Sequence, residues 1–292
     1  MRDEGMMQAA ILAVRRIGAS VGGRALFSDL DWALYPGEVW AVVGPNGAGK
    51  TTFLALLAGL RRPDAGEVTL RGRPLRRLRR EEIARHVAYV PQSPGSGPLS
   101  LEEFLALGGL AAGLAGAALR RRVEQAAERF GLGGRLKLPV QALSGGERRR
   151  AYLARAEVQD AAAYLLDEPA ADLDVRAAWE MFGRIRAWAA EGRGVVFVTH
   201  DVNAAALVAD RVLLFGGRRG ASSPSAEQGR PSPAAEAGMP DRGAAPIPAV
   251  LHPAALQAEA IEGAFGLRPV PIRHPLADVP QFLYPPIRPG PY

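Results

Sequence analysis

The sequence predicts an α/β fold in which a parallel sheet is covered by helices on both faces. Three observations lead there. Four short apolar runs, at residues 39–43, 163–166, 195–199 and 211–215, lack the polar alternation of a half-exposed strand, as strands buried on both faces do. Helical patterns at 51–60, 120–130, 145–158 and 175–190 alternate with these runs, as βαβ units require. A glycine-rich segment, Gly44-Pro45-Asn46-Gly47-Ala48-Gly49-Lys50-Thr51, joins the first run to the first helix.

In chain order, residues 10–17 and 25–34 read as strands joined by a turn at Gly22-Gly23. A second turn follows at Pro36-Gly37 and a further strand at 67–70, which together predict a small antiparallel layer packed on the core. A run at 87–90 leads into Pro91-Gln92. Residues from about 91 to 139 read as mostly helical, a subdomain placed before Leu143-Ser144-Gly145-Gly146-Glu147. Within it, 104–119 is 16 residues long, carries no charge and holds four glycines, and it falls short of the roughly 20 residues that a spanning helix wants. It reads as a buried or partner-facing helical region, with an Ala/Gly-rich surface helix as the alternative. The helix at 175–190 ends at Glu191-Gly192, a glycine C-cap.

From 216 to 250 the composition shifts: 24 of 35 residues are Ala, Gly, Pro or Ser without periodicity, so the stretch reads as a mobile linker. Beyond it, 253–265 reads as a short helix, with strands at 270–272 and 281–284. The expected organisation is a domain at 1–217 containing the helical subdomain of about 91–139, a linker at 218–250 and an extension at 251–292.

Length and composition allow one sizeable core plus an appendage, since 48% of the 292 residues are hydrophobic. The absence of cysteine excludes a disulfide framework, a thiolate metal site and a cysteine nucleophile, and it is compatible with a reducing cytoplasm. The first eight residues carry acids where a secretory peptide is basic, and the apolar run behind them stops at Arg15, so export is not expected. A net charge of +6 raises nucleic acid or an anionic membrane as partners. The densest basic run, 71–85, is interrupted by Glu81 and Glu82 and has no aromatic residues for base stacking, which favours a solvated helix face. Only Lys50 and Lys137 are lysines in this arginine-rich chain, so a compact ammonium at Lys50 is informative.

The segment from Gly44 to Thr51 fits G-x-x-x-x-G-K-[ST] between a strand and a helix, the context that gives the pattern its meaning and implies a P-loop NTPase core. Its glycines let backbone N–H groups turn toward phosphate oxygens, and the helix N-terminus adds its positive dipole end. Lys50 is expected to bridge β- and γ-phosphates, Thr51 to offer its hydroxyl to Mg²⁺, and Thr52 to contact phosphate. Asp167 ends an apolar strand as the acid that holds Mg²⁺. Because side chains alternate along a strand, the neighbouring Glu168 is expected to face elsewhere, toward the attacking water, as general base or water-positioning group. Ser144 and Glu147 form a capping box, and the same helix start, with Gly145 and Gly146 bare of side chains, exposes N–H groups suited to a γ-phosphate.

With these segments in this order, residues 10–217 resemble the ATP-binding subunit of an ATP-binding-cassette (ABC) transporter. The resemblance implies that the Ser144 helix addresses ATP on an opposite copy, that Gln92 touches Mg²⁺, that His200 is a switch histidine on the γ-phosphate, and that Asp174 is the D-loop acid, with helix N-capping as its structural alternative. It further implies ATP and Mg²⁺ as ligands, transmembrane permease subunits and, indirectly, a substrate-binding protein as partners, and a peripheral place on the cytoplasmic face of the inner membrane. No nucleic acid is expected. The family often stacks an aromatic residue on adenine, whereas the equivalent position here is Val21.

Trp40-Ala41-Val42-Val43, Gly72-Arg73-Pro74-Leu75, Tyr89-Val90-Pro91-Gln92 and Asp201-Val202-Asn203 are similar to the importer branch serving iron-siderophore, haem and cobalamin substrates. Rival readings are a soluble cassette ATPase acting on nucleic acid or protein assemblies, an exporter subunit, and a small P-loop kinase. The kinase leaves Leu143 to Glu147 and His200 unexplained.

Overall fold

Successive residues of the central strands enter two different cores, and this is why their sequences show no alternation. The computed structural model describes residues 9–93, 95, 97–216, 248–253, 256, 258–265, 270–273 and 280–283. Its strands are β1 (Leu12–Val21), β2 (Arg24–Leu34), β3 (Val39–Val43), β4 (Ala65–Leu70), β5 (Arg73–Pro74), β6 (Val87–Val90), β7 (Ala163–Asp167), β8 (Gly194–Val198), β9 (Arg211–Leu214), β10 (Ala249–Leu251), β11 (Val270–Arg273) and β12 (Pro280–Leu283). Its α-helices are α1 (Lys50–Leu57), α2 (Arg80–Ala84), α3 (Leu101–Ala111), α4 (Gly116–Arg129), α5 (Gly145–Gln159), α6 (Val175–Ala190), α7 (Val202–Val208) and α8 (Ala258–Phe265).

The central sheet has the order β10-β9-β3-β8-β7-β6. All pairings within it are parallel except that of β10, which runs antiparallel to β9. Val39, Ala41 and Val43 of β3 pack with Tyr164 and Phe197 against α6 and α7, and Tyr164 stacks on Trp188 with ring centroids 4.3 Å apart. Trp40 and Val42 turn the other way, onto Phe53 of α1 and the antiparallel layer β2-β1-β4-β5. Each fully buried Val, Leu or Phe on either face contributes about 1.5–3 kcal/mol.

A third core, built on Leu101, Leu105, Val123, Ala127 and Leu132, holds α3, α4 and the near end of α5 together. Here the single helical region expected at 104–119 is two helices bent by 119°. Gly113 in the intervening turn has φ 77°, a conformation that a residue with a side chain adopts at a cost. Among the described residues no single helix is long and apolar enough to cross a membrane.

The basic run 71–85 is also not one helix face. A turn at Arg71-Gly72, the short strand β5, a 3₁₀ turn at Leu75–Arg77 and α2 divide it, and Arg73 and Arg76 reach Glu82 and Glu67. At the far end, Ala249 and Val250, assigned to the linker by composition, belong to β10. Residues 218–247 of that linker lie outside the described residues, as do the first eight residues and Tyr284.

The tail returns to the core. Leu256, Ile261 and Phe282 are buried in the α6–α7 core, and the Asn203 side chain of α7 brackets the Phe282 backbone, donating to its carbonyl at 3.2 Å and accepting its N–H at 2.7 Å. Replacing Asn203 with alanine leaves both groups unpaired, a cost of about 1–3 kcal/mol. Amide exchange at Phe282 should then quicken about tenfold or more, while β3 and β8 keep their protection. Unchanged exchange at Phe282 would show that the side chain does not hold the tail.

Candidate functional site

The glycine-rich loop leaves β3 at Val43 and enters α1 at Lys50. Its last glycine, Gly49, occupies the helix N-cap with φ 102°, and a Cβ there would stand 3.1 Å from that of Leu26. The Lys50 ammonium lies inside the loop and donates to the Gly44 carbonyl at 2.7 Å and the Pro45 carbonyl at 3.0 Å. Ala48 N–H closes the turn onto the same Pro45 oxygen at 3.3 Å. Burial pushes the Lys50 pKa down, and the carboxylates of Glu168 and Asp167 pull it back up. A cleft of about 410 Å³ opens here, lined by Asn46, Gly47, Gly49, Lys50, Thr51 and Thr52, with Gln92, Asp167 and Glu168 opposite and Val21, Leu26 and Val198 at its sides. Segments far apart in the chain thus meet at one concavity.

Asp167 closes β7 and is fully buried, and neither carboxylate oxygen has a hydrogen-bond partner. Burial pushes its pKa above the ordinary carboxylate range; the nearby Thr51 hydroxyl and the charges of Lys50 and Arg149 offset only part of this. Glu168 diverges from it for a reason other than the strand alternation expected from the sequence. The strand has already ended, and Glu168 sits in a left-handed turn with φ 51°, its N–H bonded to the Val198 carbonyl. That turn carries its side chain, 12% exposed, to within 3.1 Å of the His200 Nδ1, whose ring is 76% exposed. His200 follows β8, between Thr199 and the α7 cap Asp201, so the ends of two neighbouring strands bring these groups together.

A divalent cation fits this donor set. Asp167 offers a desolvated, unpaired carboxylate, Thr51 a hydroxyl and Gln92 an exposed amide, all oxygen ligands of the kind Mg²⁺ takes. Among the described residues no cluster of three or more His, Asp or Glu exists that could cage an ion. Such a donor set suits a cation shared with the phosphates of a substrate better than one caged by the protein alone.

Ser144, Gly145, Gly146, Glu147 and Asp174 do not line this cleft. Ser144 and Glu147 form the reciprocal capping box of α5, at 3.2 and 2.9 Å, and Glu147 also meets Arg135 at 3.1 Å. Asp174 caps α6 by accepting the Ala177 N–H at 2.8 Å. Both structural alternatives are thus present in the folded chain.

Arg149 escaped sequence reasoning. It is 1% exposed, donates to the carbonyls of Pro91 at 2.9 Å and Gln92, and approaches that of Asp167 at 3.5 Å. One guanidinium on α5 thereby ties the backbone of Gln92 to that of Asp167. The available signal was position: Arg149 shares a helix face with Leu153 and Ala156, spacings of four and three that mark an apolar stripe.

A family model described as "ABC transporter" matches residues 27–171. Hemin import ATP-binding proteins are similar to the chain: that of Rhizobium meliloti is 36% identical over 72% of this chain and 81% of its own length, and that of Streptomyces coelicolor 41% over 71% and 75%. A Nod factor export ATP-binding protein I from Cupriavidus pinatubonensis is 35% identical over 72% of this chain and 65% of its own. Among solved structures, an ATP binding subunit of an ABC transporter superposes with a TM-score of 0.66 at 29% identity, covering 70% of this chain and 85% of that one.

Proposed function

The chain belongs to the ATP-binding proteins of ABC transporters, ATPases whose hydrolysis is coupled to transport, and from that premise we propose that it powers import of hemin or a related metal chelate through separate permease subunits. The convergence of Asn46, Gly47 and residues 49–52 of the loop with Gln92, Asp167 and Glu168 on one cleft supports the ATPase half of this reading. The hemin import relatives, at 36 and 41% identity, support the cargo class.

In this reading the loop N–H groups and Lys50 hold the triphosphate, with Thr52 as a further phosphate contact. Thr51, Asp167 and Gln92 hold Mg²⁺, which when bound supplies charge neutralisation at the phosphates. Glu168 orients and deprotonates the attacking water, and His200, held against Glu168, senses the γ-phosphate. The adenine rests on aliphatic Val21 and Leu26, a weaker platform than an aromatic ring.

Ser144 to Glu147 and Asp174 act on a second copy, in a head-to-tail pair that encloses two nucleotides. Gly145 supports this assignment: a Cβ there would meet nothing within 4 Å, so packing inside the chain does not call for glycine. Nucleotide bound by the twin does, because a side chain would block its approach to the helix N-terminus.

The permease docks in a groove of about 340 Å³ whose walls are the turn after α1, α2 and β6 on one side and α3 and α5 on the other, where Leu60 and Leu107 are 58% and 43% exposed. The protein accordingly sits peripherally on the cytoplasmic face of the inner membrane, with a substrate-binding protein as an indirect partner. Purification from detergent-solubilised membranes should recover a polytopic permease, and the reconstituted complex should accumulate hemin inside proteoliposomes when ATP is supplied on the protein's side. Enrichment of nucleic acid in place of a permease would overturn the transport reading. Movement of cargo away from the ATPase side would support export, as in the Nod factor relative.

A further inference from the structure

Most of the excess charge of this chain lies in one segment. Residues 61–85 hold nine arginines and four acids, a net +5 of the +6 carried by all 292 residues. The segment runs from the turn after α1 through β4 and β5 to α2, and residues from along its length line one cleft. Arg62, Arg71, Arg77, Arg80 and Arg85 are exposed and form no ion pair with any described residue, whereas Arg61, Arg73 and Arg76 are engaged by Asp64, Glu82 and Glu67. His86 registers the same field: its pKa is lowered first by burial and then by Arg71 and Arg85.

Within this surface is a cleft of about 360 Å³ with Arg61, Arg62, Arg76 and Arg80 at its rim and apolar side chains such as Val68 and Leu75 inside. It shares Gly59, Leu60, Arg80 and Ile83 with the groove assigned above to the permease. The two are therefore continuous, so a membrane protein seated in the groove lies beside the arginines.

We propose that the surface formed by residues 61–85 rests on the phosphate headgroups of anionic phospholipids beside the docked permease. Exposed arginines without internal counter-ions suit a sheet of phosphates, and the apolar interior of the cleft suits the aliphatic part of an amphiphile. The segment has no aromatic residue on which a base would stack, which disfavours nucleic acid. This placement rests on the transporter reading, because the groove gives the surface its orientation.

The test uses the full chain without permease, mixed with vesicles of phosphatidylcholine alone or with about one third phosphatidylglycerol. The protein should float with the anionic vesicles only, and should be released when salt rises from about 0.1 M to about 0.5 M. The variant R62Q/R71Q/R77Q/R85Q should bind at least about tenfold more weakly, since each arginine near an anionic surface is worth roughly fivefold. A charge-matched control, R15Q/R24Q/R120Q/R121Q, should bind as the parent does, and both variants should retain basal ATP hydrolysis.

No binding to anionic vesicles, equal binding to neutral ones, or equal losses in the two variants would overturn the proposal. So would binding of duplex DNA as tight as that of vesicles at the same salt. Recovery of a permease together with failed vesicle binding removes the lipid contact alone; vesicle binding without any permease removes the transporter reading instead.

Discussion

Glu168→Gln should bind ATP as the parent does and lose about 10²-fold or more of its turnover, the size of a general base contribution. The substitution keeps the shape of the side chain and a polar end near His200 Nδ1, now 3.1 Å from the carboxylate, and removes the ability to take a proton. It also removes a negative charge that favours the Lys50 ammonium, but the loop contacts of Lys50 are to the Gly44 and Pro45 carbonyls and do not involve Glu168. Single-turnover hydrolysis with saturating Mg²⁺ and ATP reads the chemical step directly. A rate within about threefold of the parent would take Glu168 out of the role assigned here.

Lys50→Ala should act one step earlier, on binding. The ammonium is the cation inside the loop, held by two carbonyls at 2.7 and 3.0 Å, and an incoming triphosphate offers it a far stronger partner. Hydrogen bonds to charged groups contribute about 1.5–3 kcal/mol, so ATP affinity should fall about 10- to 100-fold, and hydrolysis further, because the same charge serves the transferring phosphate. Equilibrium binding of ATP, with the folded state checked by thermal unfolding, gives the comparison. Affinity within about threefold of the parent, in a protein that unfolds at the same temperature, would mean that Lys50 is bound to the loop for structural reasons only.

The fold was legible where burial is two-sided. The runs at 39–43, 163–166 and 195–198 are uniformly apolar because alternate residues, Val39 and Trp40 for example, serve different cores, and no polar face remains to confuse the period. The legible part of the cleft was the part made from contiguous residues: a strand, a glycine loop and a helix specify the position of Lys50 almost by themselves.

What remained hidden depends on long-range contact or on a single backbone angle. Nothing local announces that Glu168 turns through φ 51° to meet His200, a residue 32 positions away. Arg149 stands among three consecutive arginines, and only the packing of α5 on Pro91 and Gln92 singles it out. The tract at 71–85 showed its charge but not its shape, because Gly72 and Pro74 divide it, Glu82 pairs back with Arg73, and Arg76 pairs with Glu67 outside the tract. Strand β10 is three residues long, too short to carry a period, and pairing with β9 alone makes it visible.

The joint enclosure of nucleotide by two copies is tested most directly by a structure of the Glu168→Gln protein bound to Mg²⁺ and ATP together with its permease. The account predicts two copies related by a two-fold axis, each triphosphate lying between Lys50 of one protomer and the Ser144 helix of its twin. A triphosphate held by Lys50 with no Ser144 from the second copy within hydrogen-bond reach would contradict it.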